Sequence, residues 1–226
     1  MSSRFRVFAT SVGTKLLIGI TGLALFLFLI THIAGNALIF LGPATFNSYS
    51  HTLTSNPLVP ILEIGLLLIF LVHIYKTVTM FLGNQQARPI AYKARKSRGR
   101  PSRKSLSSST MIVSGLWLLV FVIIHVRGFK YGPEYAVEGS AGVRDLYRLV
   151  VEAFRSPLMV GFYVISMVTV ASHLWHGASS TFQSLGLDHS RWTPRLLALG
   201  KVFAVIIGGG FIVITLWVHF AGQVGQ

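Results

Sequence analysis

Eight histidines and no cysteine define the metal chemistry open to this 226-residue chain. Without thiolates it cannot ligate an iron–sulfur cluster, attach a c-type haem, build a cysteine-containing zinc site or form a disulfide. Any redox metal must therefore be held by other ligands, and the histidines are the available ones. Four of them, His32, His73, His125 and His173, fall inside long apolar runs, the last accompanied by His176. Metal-binding or ionisable side chains in such surroundings are rare enough that each is a functional hypothesis by default.

The elements that position them follow from composition. Hydrophobic residues make up 52% of the chain and charged ones only 12%, about half the charged share of an ordinary soluble domain; the mean hydropathy is +0.64. A spanning helix needs about 20 mostly apolar residues. Five stretches meet this, at about 14–41, 58–82, 110–129, 157–182 and 196–220. The expected fold is all-α: a single membrane domain over 1–226, built as an integral bundle of five transmembrane helices. The first apolar run is too long for a cleavable signal peptide, and no internal repeat is evident.

The formal net charge of +14 would suggest nucleic acid in a soluble protein, but here the charges lie between the apolar runs. Arg88, Lys93, Arg95, Lys96, Arg98, Arg100, Arg103 and Lys104 crowd the loop 84–108, and the N-terminus adds Arg4, Arg6 and Lys15. By the positive-inside rule the N-terminus is cytoplasmic and the C-terminus outside, in a multi-pass protein of the cell inner (cytoplasmic) membrane. The basic loop reads as a topological signal that meets anionic lipid, with no nucleic-acid role, and is compatible with docking of a cytoplasmic partner. In the outer segment 130–156, Leu146, Val150, Val151 and Phe154 alternate with charged residues, which predicts a short amphipathic helix at the outer interface. Pro157 then opens the fourth span at a favourable first-turn position.

Counting about 1.5 Å per residue sorts the histidines by depth. His32 and His125 come roughly 27 Å and 22 Å after the cytoplasmic ends of spans one and three, in the outer half of the membrane. His73 and His173 come roughly 22–24 Å after the outer ends of spans two and four, in the inner half. Two levels result, each drawing on two helices. A bis-histidine b-type haem asks for this: two imidazoles from facing helices, at one depth, on opposite sides of a flat macrocycle. A single membrane histidine can equally hydrogen-bond to a neighbouring helix, but a matched two-and-two pattern favours two haems. Spacing leaves His173 and His176 as alternatives. His219 suits interfacial hydrogen bonding, and His51 and His189 belong to loops. Ala34, Gly35, Gly128 and Gly177 are small residues that would admit a ring or a neighbouring helix. Lys15 and Lys76 are candidate partners for the propionates of an inner haem, and Arg127 and Lys130 for those of an outer one. Glu63, near the outer start of span two, can exchange protons with a redox substrate or cap its helix.

The segments FLFLITHIAGN (26–36), ATFNSYSH (44–51), Asn56 to Leu58, EIGLLLIFLVH (63–73), NQQARPIAY (84–92), Phe121 to His125, and Ser156 to Gln183 with SPLMVGFY and HLWHG occur in this order. From about Ser11 to Pro194 the chain resembles the cytochrome b membrane-anchor subunit of succinate dehydrogenase/fumarate reductase, in its five-helix, two-haem form. The resemblance implies two haem b groups, with His32 and His125 as axial iron ligands of the outer, distal one and His73 and His173 of the inner, proximal one. It favours His173 over His176, because some relatives carry a non-ligating residue at the latter position. It also implies flavoprotein and iron–sulfur partner subunits on the cytoplasmic side, which supply the thiolate chemistry this chain lacks. The chain alone would not act on succinate.

The substrate on the membrane side would be a quinone. Two levels spanning the bilayer suit a low-potential quinone such as menaquinone, since moving one charge through 100 mV is worth roughly 2.3 kcal/mol. Asn47, His51 and Glu63 are the expected quinone-site residues near the outer haem. A haem subunit of a formate dehydrogenase or hydrogenase would share the histidine pattern but lack the FN, ARP-x-x-Y and GFY segments. A haem-free anchor would keep only the bundle. A proton-coupled transporter would show broken helices or inverted repeats, and neither is evident.

Overall fold

Inside hydrocarbon no water can satisfy a backbone N–H or C=O, so an apolar segment must close its own hydrogen bonds as a helix. The computed structural model describes residues 10–87, 110–140, 142–186 and 189–222, and they follow this rule. Helix α1 (Ser11–Ala37) starts after Thr10, whose hydroxyl accepts from the Gly13 N–H at 3.1 Å. A 3-10 turn (Leu38–Leu41) extends it to Gly42, where φ of +93° suits glycine and redirects the chain. Helix α2 (Pro43–Thr54) follows, with proline at its first position, and then α3 (Val59–Gln86) and α4 (Met111–Phe129). Helix α5 (Leu146–Phe154) is capped by Asp145, α6 (Pro157–Ser184) by Ser156, and α7 (Thr193–Ala221) completes the chain.

Five of these, α1 with its 3-10 extension, α3, α4, α6 and α7, are long and apolar enough to cross a membrane. They coincide with the five expected spans to within a few residues. Among the described residues there is no strand, only an isolated bridge between Ala136 and Arg144. Most of the basic loop expected over 84–108, together with Arg4 and Arg6, lies outside the described residues. Helix α2 was not expected, although Gly42-Pro43 is a natural helix start.

Alternating helices bring their opposite ends together. The start of α1 packs near the end of α6, as the Gly19 contact with Ser184 shows, and the start of α7 packs near the end of α6 through Gly200 and Ala178. This is the N-terminal end of the bundle, where α1 begins. At the other, capped end, α2 and α5 close the bundle, and α5 packs against α2, α4, α6 and α7. The amphipathic helix expected within the segment 130–156 is present as α5. Its apolar face, Tyr147, Leu149, Val150, Val151 and Phe154, is buried within the protein rather than spread on an interface. On its polar side the Tyr135 hydroxyl and then the Arg148 guanidinium hold the Glu152 carboxyl below the usual carboxylate range.

Helices α6 and α7 make the most extensive contact in the bundle, and small residues explain it. Gly200, Ala204 and Gly208 recur every fourth residue along α7 and are all buried. A Cβ at Gly200 would lie 2.6 Å from the Ala178 Cβ, and one at Gly208 would lie 2.7 Å from the Ala171 Cβ and 2.9 Å from the Met167 carbonyl. In lipid, where apolar burial gives helices little reason to associate, such close backbone approach is a main source of packing energy. Helix α3 is the opposite case, with no buried residue. Ile61 and Leu62 are 65% and 67% exposed, a surface that suits hydrocarbon and would be a liability in water.

Gly208→Val should therefore separate α6 from α7 and cost about 1–3 kcal/mol, read as a lower thermal unfolding midpoint of the detergent-solubilised protein. Gly209→Ala, whose added Cβ would meet nothing within 4 Å, should leave the midpoint unchanged or higher.

Candidate functional site

The four deep histidines lie on four different helices and gather at two levels. Toward the capped end, His32 of α1 faces His125 of α4, with ring centroids 5.8 Å apart and planes at 89°. His32 is further held between Phe28, stacked at 5.1 Å, and Phe211 of α7 at 5.6 Å. The Asn36 amide donates to the His32 carbonyl at 2.9 Å, a side-chain bond added within α1. His125 stacks on Phe121 at 5.5 Å, and its Nδ1 lies 3.0 Å from the Tyr163 hydroxyl of α6. Tyr163 is buried by Phe129 and Phe154, so the phenol is fixed by packing before it meets the imidazole.

Toward the N-terminal end lie His173 of α6 and His73 of α3, the latter beside Gly22, where an added Cβ would also lie 3.8 Å from the Thr181 hydroxyl of α6. The His73 Nδ1 is 3.0 Å from the Thr21 hydroxyl of α1, and the His173 Nδ1 is 3.0 Å from the Ser114 hydroxyl of α4. Glycines make room for both rings. A Cβ at Gly22 would lie 3.3 Å from the His73 Cε1, and one at Gly115 would lie 3.6 Å from the His173 Cε1. His176, one turn further along α6, is half-buried and is not the ring that Ser114 holds.

The donor set fits a b-type haem. Two imidazoles on opposite sides of one metal, each bound through nitrogen at about 2 Å, place their ring centroids about 6 Å apart, close to the separation of His32 and His125. Among the described residues no group of three or more His, Asp or Glu side chains could hold a metal ion. Ligands in pairs suit a metal whose remaining positions are filled by a macrocycle. For His73, His125 and His173 the Nδ1 atom already has a hydroxyl partner, which leaves Nε2 as the nitrogen that could take a metal, as in a ligating histidine.

Other expected site residues take different places. Glu63 of α3 forms an ion pair with Lys130 at the end of α4, so each of these side chains has a protein partner. Asn47 is buried, its amide donating to the Asp145 carboxylate at 2.8 Å and accepting from the Tyr147 N–H at 2.9 Å. It ties α2 to the start of α5, with both ends of its amide engaged inside the protein. His51 is exposed on α2, Lys15 and Arg127 are exposed, and Lys76 lies over the Tyr75 ring at 5.8 Å. His219 Nδ1–H donates to the Phe154 carbonyl at 2.7 Å, joining α7 to α5 as interfacial hydrogen bonding requires. His189 is exposed, and its Nδ1 accepts from the Arg191 N–H. The Gly35 space is taken by the Tyr49 ring, Gly128 and Gly177 have nothing within 4 Å of a Cβ, and Ala34 is exposed.

The residues that sequence reasoning passed over are the hydroxyl partners Thr21, Ser114 and Tyr163, and the two glycines beside the rings. A serine or threonine in an apolar run is common because it returns its proton to its own helix. Its identity as a histidine partner depends on the helix opposite, which spacing does not reveal.

No family model and no solved structure matches the chain. Over 182 residues, 80% of this chain and 81% of the relative, the sequence is 28% identical to the succinate dehydrogenase cytochrome b558 subunit of Bacillus subtilis (strain 168).

Proposed function

We propose that the chain is the dihaem cytochrome b membrane anchor of a succinate:quinone oxidoreductase, linking a partner iron–sulfur subunit to a membrane quinone. The observation that carries this reading is the gathering of four histidines from four apolar helices into two levels, in a chain similar to a succinate dehydrogenase cytochrome b558 subunit. His32 and His125 would hold one haem b, and His73 and His173 the other. A haem b bound at each level supplies a one-electron Fe(III)/Fe(II) couple.

The protein's own contribution is to fix the rings and keep water from them. Phe28 and Phe211 flank His32, Tyr163 holds His125, and Thr21 and Ser114 hold His73 and His173. The name of the relative supports a flavoprotein and an iron–sulfur protein as partner subunits. In this reading they bind on the cytoplasmic side, the N-terminus faces them, and the protein lies in the cytoplasmic membrane. The quinone, a menaquinone in this reading, binds at the capped end, where His51 and Glu63 lie and where Asn47 ties α2 to the start of α5. Glu63 keeps a proton-exchange role there in this reading, beside Lys130, with which it forms an ion pair. The spanning helices run unbroken through each apolar stretch, which disfavours the transporter reading.

A reduced-minus-oxidised spectrum of the purified, haem-replete protein should show a b-type signal, and a flavoprotein and an iron–sulfur protein should co-purify with it. Absence of the b-type signal would sink the haem reading. His173→Ala should remove one of two haems and His176→Ala neither; the reverse result would exchange their roles. In membranes carrying the assembled complex, Glu63→Gln should slow quinone reduction by at least about tenfold with an altered pH profile. Turnover unchanged across pH would remove Glu63 from proton exchange.

A further inference from the structure

A serine or threonine hydroxyl has one proton to give. At Thr21 it goes to α1 itself: Oγ1 donates to the Leu17 carbonyl at 2.6 Å, with the Ile18 carbonyl at 3.2 Å as a secondary acceptor. With its proton committed, the Thr21 oxygen can only accept from the His73 ring 3.0 Å away, so the proton of this imidazole must sit on Nδ1. Ser114 repeats the device on α4. Its hydroxyl donates to the Met111 carbonyl at 3.0 Å, and its oxygen accepts from the His173 Nδ1–H at 3.0 Å. Both residues are buried, where losing such a partner is costly because no water replaces it.

The other level lacks this device. A phenol is too long to return its proton to its own helix as serine and threonine do, so Tyr163 and His125 can exchange donor and acceptor roles across their 3.0 Å contact until a metal takes Nε2 and fixes the proton on Nδ1. The two levels therefore differ in kind. One has its imidazole tautomers set by hydroxyls that are bonded back to their helices, and the other has its ring held by a side chain of either polarity.

We infer that Thr21 and Ser114 are positioning residues that hold His73 and His173 as Nδ1–H tautomers, so that both rings present the Nε2 lone pair to the same haem iron. The inference rests on the haem reading above. It adds two consequences. Each ring is aimed by a helix other than its own, His73 by α1 and His173 by α4. Hydrogen-bond donation from Nδ1–H also makes the imidazole a stronger electron donor, which favours the ferric state of a bound iron.

The test uses the assembled complex in its native membrane, with haem content and midpoint potentials read by spectroelectrochemical titration. Thr21→Val keeps the shape and removes the acceptor, Thr21→Ser restores it, and Ser114→Ala and Ser114→Thr form an independent pair. Thr21→Val and Ser114→Ala should each lower the ferric preference of the His73/His173 haem about tenfold, which is about 59 mV upward for one electron. The second haem should not move, and Thr21→Ser and Ser114→Thr should return the wild-type value. Two haems with potentials unchanged in both acceptor-deleted variants would overturn the inference and leave the haem reading intact. Equal shifts in Thr21→Val and Thr21→Ser would also overturn it, as an effect of packing alone. If the wild-type protein holds no haem, the reading beneath the inference fails first.

Discussion

A polar group in hydrocarbon has no water to fall back on, and most of this structure is a response to that constraint. The backbone meets it by forming helices. The side chains meet it in sequence: Thr21 and Ser114 satisfy their own hydroxyl protons within a turn, and the oxygens left over satisfy imidazoles on neighbouring helices. At the capped end, Asn47 meets it by joining the Asp145 carboxylate and the Tyr147 N–H. None of these is a strong interaction in water. In a medium where the alternative is an unpaired group, each acquires the power to fix a ring or a loop.

Interhelix packing meets a second demand, since lipid does not squeeze helices together as water does. The α6–α7 pair answers with Gly200, Ala204 and Gly208 set against Ala171 and Ala178. Helix α7 supplies none of the four deep histidines, yet it presents Phe211 to His32 and lets Ile33 reach the backbone at Gly210. It serves as a rigid backing for the helices that carry the rings. Helix α3 lies at the other extreme: it has no buried residue and leans mainly on α1, with polar ties from Thr21 to His73 at mid-helix and from Lys130 to Glu63 near its start.

Much of this was legible in the amino-acid order. Long apolar runs bounded by proline, glycine and charge located all five long helices, and a count of rise per residue separated His32 and His125 from His73 and His173. The amphipathic stretch at 146–154 was readable, though not the surface that it covers. What escaped was relational. Whether Thr21 serves only its own helix or also a histidine depends on which helix packs opposite. That Gly35 accommodates Tyr49 rather than a ring at His32 depends on how α2 folds back. Lys130 and Glu63 looked like separate site residues because nothing in their spacing says that the ends of α3 and α4 meet. Residue type and period report on one helix at a time, and a site shared among five is written in their contacts.

The crossed pairing of these helices bears on how the protein is made. Helices enter a membrane in chain order, and α1 and α3 each bring a histidine whose counterpart lies further along the chain. His32 meets His125 once α4 has entered. His73 waits for α6, which also brings Tyr163 to the ring already waiting at the other level. Until α6 arrives, neither level has both its histidines and their hydroxyl partners; α7 then follows and sets Phe211 against His32. Helix α6 thus closes both histidine pairs, and a chain arrested before α6 enters the membrane would hold His32, His73 and His125 with neither level complete.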